Sequence, residues 1–194
     1  MTTKTFHLVG IGGTNRVGSN TLFVLKDLLK IAEERGATTD LIDVHTTQIP
    51  IYEPETPRAD QPQALLDLLP ILQRADGFII GSSTYHGTIS GVVKNLLDAI
   101  DLFIDDERGT FAGRPVGLVA YGGASAMNVL NALHHSARGL AGFVVPTVVS
   151  VSSGQVNATD GITNQAVRDR AIALIDEVLQ LAKLQQLALE HAES

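Results

Sequence analysis

The sequence predicts a chain of alternating strands and helices wound about one parallel sheet, and three observations carry that fold class. Short aliphatic runs without strict in–out alternation recur five times, as strands covered on both faces should. A helical pattern of apolar residues follows each run. Aromatic residues make up only 5% and tryptophan is absent, so the core must be built from Leu, Ile, Val and Ala.

Taken in order, residues 6–11 read as a short buried strand, and Gly12 to Asn20 as a glycine-rich polar turn. Leu22, Leu25, Leu28, Leu29 and Ala32 then recur at helical spacing, and Gly36 ends that helix. Leu41 to Val44 is the second strand. Pro50 to Pro62 holds four prolines and three acids, a long connection of the kind that is often functional or mobile. Leu65 to Leu72 reads as a helix bent or interrupted by Pro70. Gly77 to Gly81 is the third strand. The helix after it carries Val93, Leu96, Leu97, Ile100 and Ile104 on one face, and Asp105 to Gly109 closes it. Pro115 to Ala120 is the fourth strand, followed by a helix from about Met127 to Leu140. Val144 to Val151 is the fifth, interrupted or started by Pro146. A polar loop, Ser152 to Thr163, leads to a last helix with Val167, Ala171, Leu174, Val178 and Leu181 in register. No internal repeat is present, and a single domain over residues 1–194 is expected.

Composition narrows the function. Hydrophobic residues make up 44% and charged residues 18%, which fits a folded globular chain. The formal net charge is −7, with a pI of about 5.2. That sign argues against a nucleic-acid partner. The absence of cysteine excludes disulfides and thiolate chemistry, and fits a cytoplasmic protein. The stretch Met1-Thr2-Thr3-Lys4-Thr5-Phe6 lacks the apolar core of a signal peptide. No apolar run approaches the ~20 residues that span a bilayer, so no membrane role is expected.

In sheets of this kind ligands bind where strand ends meet helix starts. The first such join, Gly12 to Thr21, offers free backbone N–H groups and the positive end of a helix dipole. Thr14, Ser19, Asn20 and Thr21 add hydroxyl and amide donors, and Arg16 suits a phosphate dianion. Two well-known motifs nearly match. Gly13-x4-Gly18 opens like a P-loop, but Ser19 stands where its lysine belongs. Gly10-x-Gly12 opens a dinucleotide fingerprint, but Asn15 occupies the third glycine position. A site for one terminal phosphate remains. The same residues also suit a plain turn capped by Ser19.

The join after the third strand, Thr84-Tyr85-His86-Gly87, offers Tyr85 to pack on a planar ring and Gly87 for close backbone approach. Ser90 is the expected N-cap of the next helix. A loop histidine such as His86 is most simply solvated, as are His134 and His135 on their helix, and Lys94 reads as a helix residue near the pocket. The join after the fourth strand, Tyr121-Gly122-Gly123-Ala124-Ser125, is again small and polar.

Gly13-Thr14-Asn15-Arg16 with Ser19-Asn20, and Thr84-Tyr85-His86-Gly87 with Ser90-Gly91-Val92-Val93-Lys94-Asn95-Leu96-Leu97-Asp98, resemble the NADPH-dependent FMN reductase family of flavodoxin-like proteins, over roughly residues 4–185. The resemblance implies a three-layer α/β/α fold with five parallel strands in the order 2-1-3-4-5. It implies an FMN phosphate at Thr14, Arg16, Ser19, Asn20 and Thr21, and an isoalloxazine along Thr84, Tyr85, His86 and Gly87. The match of Gly122, Gly123 and Ser125 to the family's fourth loop is less specific. Ser83 stands where the family usually has proline, which predicts a less rigid turn.

The activity implied is hydride transfer from NADPH or NADH to FMN, the cofactor carrying the chemistry, with no essential catalytic side chain and no metal. The acceptor implied is a flavin or a quinone. Within the same fold, an FMN-retaining quinone, azo or metal-oxyanion (chromate-type) reductase is the close alternative, and a flavodoxin-type electron carrier a further one. Arg58, Arg108, Arg114 and Arg138 are on offer to a 2′-phosphate. The family also implies a homodimer or homotetramer and, where FMN is released reduced, a flavin-dependent monooxygenase as partner. A mean hydropathy of +0.16 agrees mildly with an apolar contact face.

Overall fold

The computed structural model describes residues 4–192; the reading of Met1-Thr2-Thr3 lies outside the described residues. In chain order the elements are β1 (His7–Gly13), α1 (Asn20–Glu34), β2 (Thr38–Asp43), α2 (Val44–Thr47), α3 (Gln63–Leu66), α4 (Leu68–Arg74), β3 (Gly77–Tyr85), β4 (Thr88–Ile89), α5 (Gly91–Ala99), β5 (Pro115–Tyr121), α6 (Ala126–Gly139), β6 (Phe143–Val151), β7 (Val156–Asn157), β8 (Gly161–Ile162) and α7 (Gln165–Ala192). Single 3-10 turns lie at Arg58–Asp60, Ile100–Phe103 and Gly123–Ser125.

The parallel strands lie in the order β2-β1-β3-β5-β6. With the short antiparallel β4 set aside, this is the expected 2-1-3-4-5 arrangement. Helices cover both faces. Phe78 and Ile80 of β3, with Leu118 and Ala120 of β5, face Val93, Leu96 and Leu97 of α5 and Val129 and Leu133 of α6. Ile79 and Val119 face the other way, onto Val24, Leu25 and Leu28 of α1 and Ala171, Leu174 and Val178 of α7. The alternation of side chains along a strand distributes one aliphatic run between two cores.

Several boundaries differ from expectation for identifiable reasons. The predicted helix over Leu65–Leu72 is two helices, α3 and α4, that meet at Asp67. Pro70 is the third residue of α4, where its missing N–H has no helical acceptor to lose, so the proline sits in a helix start rather than a kink. Ile104 lies past the 3-10 turn and is 59% exposed, off the buried face. In β6, Val144 pairs with Val116 but Val148 with Leu118. The two extra residues form a bulge around Pro146, which has no N–H to give to a ladder, and the strand lies at the sheet edge where this is tolerated. The expected polar loop after β6 contains the β7–β8 hairpin, pinned to α1 by Asp27, which accepts from Ile162 N at 2.9 Å and from Arg168 at 3.1 Å. The long connection of residues 50–62 is tied down: Asn95 of α5 accepts from Tyr52 N at 2.9 Å and donates to Pro50 O at 2.8 Å, and the buried Gln61 donates to Glu53 O and Thr56 O.

Candidate active site

The C-terminal ends of β1, β3 and β5 open onto one cavity of about 370 Å³, lined by Thr14, Arg16, Gly18, Ser19, Asn20, Ser83, Thr84, Tyr85, Tyr121 and Gly122. Three separate joins in the sequence therefore meet at one place. Larger cavities of about 520 Å³ and 440 Å³ lie between α5 and α6 and beside Arg114 and α7, away from these strand ends.

The first wall is the β1–α1 turn. Ser19 caps α1, its Oγ accepting from Leu22 N at 3.2 Å, as the sequence predicts. The first turn of α1 turns its remaining free N–H groups toward the loop. Thr14 is 3% exposed and its Oγ1 has no hydrogen-bond partner. Of the lining residues, Arg16 alone carries charge, and it is exposed.

The second wall is a hairpin. β3 runs past Gly81 to Tyr85 and turns back into β4, with Thr84 opposite Ile89 and Tyr85 opposite Thr88. His86 and Gly87 form the turn, at φ of 49° and 82°. Positive φ at both central residues is the signature of a type I′ turn. A Cβ on Gly87 would meet only Asn128, at 4.0 Å, so the glycine is there for the turn rather than for a crowded backbone approach. His86 is exposed at the tip. Tyr85, 41% exposed, presents its ring at the cavity. Thr84 Oγ1 is a second buried hydroxyl without a partner. Ser90 sits at the N-cap position of α5, but its side chain makes no cap bond; Ser82 Oγ accepts from Ser90 N at 2.9 Å and lies 3.4 Å from Ser90 Oγ.

The third wall comes from β5. A side chain on Gly122 would collide with Thr84 Oγ1, so this glycine lets the two joins close on each other. Gly123 and Ser125 form the 3-10 turn that leads into α6 and lie outside the lining.

Two cross-loop bonds hold the walls together. Thr21 Oγ1 and Ser83 Oγ are 2.6 Å apart, and Asn20 Nδ2 donates to Tyr121 Oη at 2.7 Å. Ser83 and Tyr121 are themselves paired in the β3–β5 ladder. The Thr21 hydroxyl thus faces Ser83 rather than the cavity. Ser83, which the sequence marks only as a missing proline, fastens the hairpin base to α1 by its hydroxyl.

The structure brings Thr14, Arg16, Ser19, Asn20, Thr84, Tyr85 and Gly122 together in the lining and leaves Thr21, His86, Gly87, Gly123 and Ser125 out of it. It adds Gly18, Ser83 and Tyr121. Tyr121 closes a strand beside two glycines, and that position was its only signal in the sequence. None of the four arginines offered to a 2′-phosphate lines this cavity. Arg58 pairs with Asp106 at 2.6 Å, Arg108 donates to Gln73 O at 2.8 Å, and Arg114 is buried among backbone carbonyls. His134 and His135 stand exposed on α6, edge to face at 6.2 Å, and Lys94 pairs with Asp98 one turn along α5 at 2.5 Å. No helix among the described residues is long and apolar enough to cross a membrane.

The model of the NADPH-dependent FMN reductase family matches residues 6–156. An FMN-dependent NADPH-azoreductase of Staphylococcus saprophyticus is 29% identical over 183 residues, which is 89% of this chain and 93% of that protein. An NADPH azoreductase of Bacillus sp. (strain OY1-2) is 32% identical over 144 residues, 73% of this chain and 74% of the relative. Among solved structures, FerB, a flavoenzyme NAD(P)H:(acceptor) oxidoreductase of Paracoccus denitrificans, superposes with a TM-score of 0.75 at 17% identity, covering 92% of this chain and 98% of FerB. The apo form of an NADH:FMN oxidoreductase, EMOB, gives a TM-score of 0.71 at 18% identity, covering 92% and 89%. At such identities the structural matches speak for the fold.

Proposed function

The chain belongs to the NADPH-dependent FMN reductase family, and we propose that it oxidises NADPH through FMN held in the 370 Å³ cavity, handing the electrons to a small flavin, quinone or azo acceptor. The observation that carries the location is the pair of buried, partnerless hydroxyls, Thr14 Oγ1 and Thr84 Oγ1. A buried polar atom left unpaired is costly unless a ligand completes it, and these two stand in the walls of one cavity. The cavity's volume and its mixture of hydroxyls with an aromatic ring also suit a cofactor site.

When bound, FMN supplies the redox chemistry, accepting a hydride from the nicotinamide. The protein's part is to bind and orient. Thr14, Arg16, Ser19 and the free N–H groups of α1 would hold the phosphate, where the helix dipole and one guanidinium favour a dianion. Asn20 and Thr21 steady this end through Tyr121 and Ser83. Thr84, Tyr85 and Gly122 would receive the ring system, with the His86–Gly87 turn and the Gly123–Ser125 turn framing it. No carboxylate, histidine or lysine lines the cavity, and hydride transfer needs no protein acid or base, so no catalytic side chain is assigned.

The azoreductase names of the two curated relatives support an acceptor that meets retained FMN, such as an azo dye or a quinone. In the second reading free flavin is the acceptor and reduced FMN leaves for a monooxygenase; the family's description as FMN reductases supports it. We take the chain to act as a single cytoplasmic domain that assembles as a homodimer or homotetramer, and the exposed Ile104, Met127 and Phe143 support such contacts.

The test is anaerobic. Purified protein, loaded with FMN, is expected to bleach on adding NADPH and to recover its colour on adding an azo dye or quinone. FMN that stays with the protein through gel filtration favours the first reading; FMN that leaves favours the second. A protein that neither takes up FMN nor oxidises NADPH removes the proposal.

A further inference from the structure

We propose that Tyr121 is a further binding residue of this site, donating its phenolic proton to the phosphate of the bound flavin, and that Asn20 is a positioning residue that acts through it. This rests on the flavin reading of the cavity. The argument begins with the hydrogen-bond inventory of the phenol. Tyr121 Oη accepts from Asn20 Nδ2 at 2.7 Å, and no other bond to it is present among the described residues. A neutral phenol that accepts in this way still has its own proton to give. Tyr121 lines the cavity alongside Arg16 and Ser19, so the proton has polar company there but no protein acceptor.

Position favours the phosphate over the ring. Asn20 is the first residue of α1, whose N-terminal amides turn toward the same space. Its amide therefore holds the phenol oxygen at the anion end of the cavity. Thr14, 3% exposed with its hydroxyl unpartnered, lines that end as well, an independent sign that a ligand acceptor belongs there. The backbone fixes Tyr121 from the other side, since it is paired with Ser83 in the sheet. The phenol is thus held by strand register and by one side-chain bond, an arrangement that preorganises a donor.

The experiment compares FMN with riboflavin, which lacks the phosphate, by fluorescence titration of the full chain stripped of flavin. The variants are Tyr121→Phe, Asn20→Ala and the double variant. Tyr121→Phe is expected to weaken FMN roughly tenfold, as loss of one hydrogen bond to a charged group should, and to leave riboflavin binding unchanged. Retained riboflavin binding also reports an intact cavity. Asn20→Ala should weaken FMN in the same sense, and the double variant should be no weaker than Tyr121→Phe alone, because Asn20 acts through the phenol. Unchanged FMN affinity in Tyr121→Phe, while the parent binds FMN well, overturns this assignment and leaves the reductase reading standing. An equal loss for riboflavin puts the contact on the sugar or ring and overturns the phosphate assignment. Fully additive losses make Asn20 a direct ligand and overturn its positioning role. A parent that binds neither flavin removes the flavin reading itself, and this proposal with it.

Discussion

At the N-terminal end of the sheet Arg114, 4% exposed, lays its guanidinium 4.7 Å from the Phe78 ring centroid and donates to the carbonyls of Leu72, Ala75, Arg108 and Thr110. Nearby, Asp76 accepts from Lys4 at 2.8 Å and from His7 N at 3.0 Å. At the C-terminal end Thr14 and Thr84 hold buried hydroxyls that no protein group reaches. Both ends are polar, but one is closed almost wholly by its own bonds, with Arg114 Nε alone left over, while the other is closed only across its loops. Burial without partners points to a ligand when it recurs along the walls of one cavity, and much less so within a guanidinium whose other nitrogens are bonded.

The largest effect is expected of Arg114→Met. It keeps the apolar stem and strands four carbonyls, so the chain should lose about 3–5 kcal/mol of stability, read by denaturant unfolding. A loss below about 1 kcal/mol would mean that the end is not stapled by this residue. Burial, then Arg108, pulls the Arg114 pKa down to about 10, with Asp76 opposing. In the window above pH 10 and below the ordinary guanidinium range the unfolded chain holds more protons than the folded one, so this group's contribution to stability rises with pH there. Below that window both states are charged, so the gap between parent and variant should stay flat from pH 6 to pH 8, on the order of the full loss throughout.

A second test sits at the other end. Ser83→Ala leaves the fully buried Thr21 hydroxyl without its 2.6 Å neighbour and should cost about 1–2 kcal/mol. Because the bond joins the hairpin to α1, FMN affinity should fall as well. Unchanged stability and affinity would show that ladder pairing alone holds the hairpin base. Arg16→Ala tests the open side of the cavity. Arg16 is exposed, so screening limits its worth, and FMN should bind roughly five- to tenfold more weakly with riboflavin unaffected. FMN binding as tight as the parent's would take the phosphate away from Arg16.

The contrast between the ends also marks what the sequence makes legible. The alternation of strands and helices and both cores follow from aliphatic runs and helical spacing, which are local signals, whereas the strand order comes with the family resemblance. The Ser19 cap is local too, and was readable. Arg114 was not: among the arginines it looked free for a phosphate, and only the arrival of Leu72 and Ala75, some forty residues away, shows it sealed in. The cross-loop bonds span 62 and 101 residues, so neither Ser83 nor Tyr121 carried a local sign of its role. The hairpin at His86–Gly87 escaped for a different reason. Its first residue is a histidine at φ 49°, whereas the usual sequence signal for such a turn is Asn or Asp before Gly.

The smallest effect is the most diagnostic, because its sign is unusual. Thr84→Val keeps shape and removes a hydroxyl that is buried and unbonded in the protein alone. Losing an unsatisfied polar atom should leave the flavin-free chain equally stable or more stable, by about 0.5–1 kcal/mol. If the hydroxyl exists for a ligand, the same variant should bind FMN several-fold more weakly, because a partner has gone from the bound state only. Stability up and affinity down is the pattern of a group kept for function at the fold's expense. Thermal unfolding with and without FMN reads both halves in one experiment: the variant's melting point should match or exceed the parent's without flavin and gain less when flavin is added. If the variant is instead less stable without flavin and binds FMN as tightly as the parent, Thr84 serves the fold, and the contrast between the two ends of the sheet reduces to one of loop geometry.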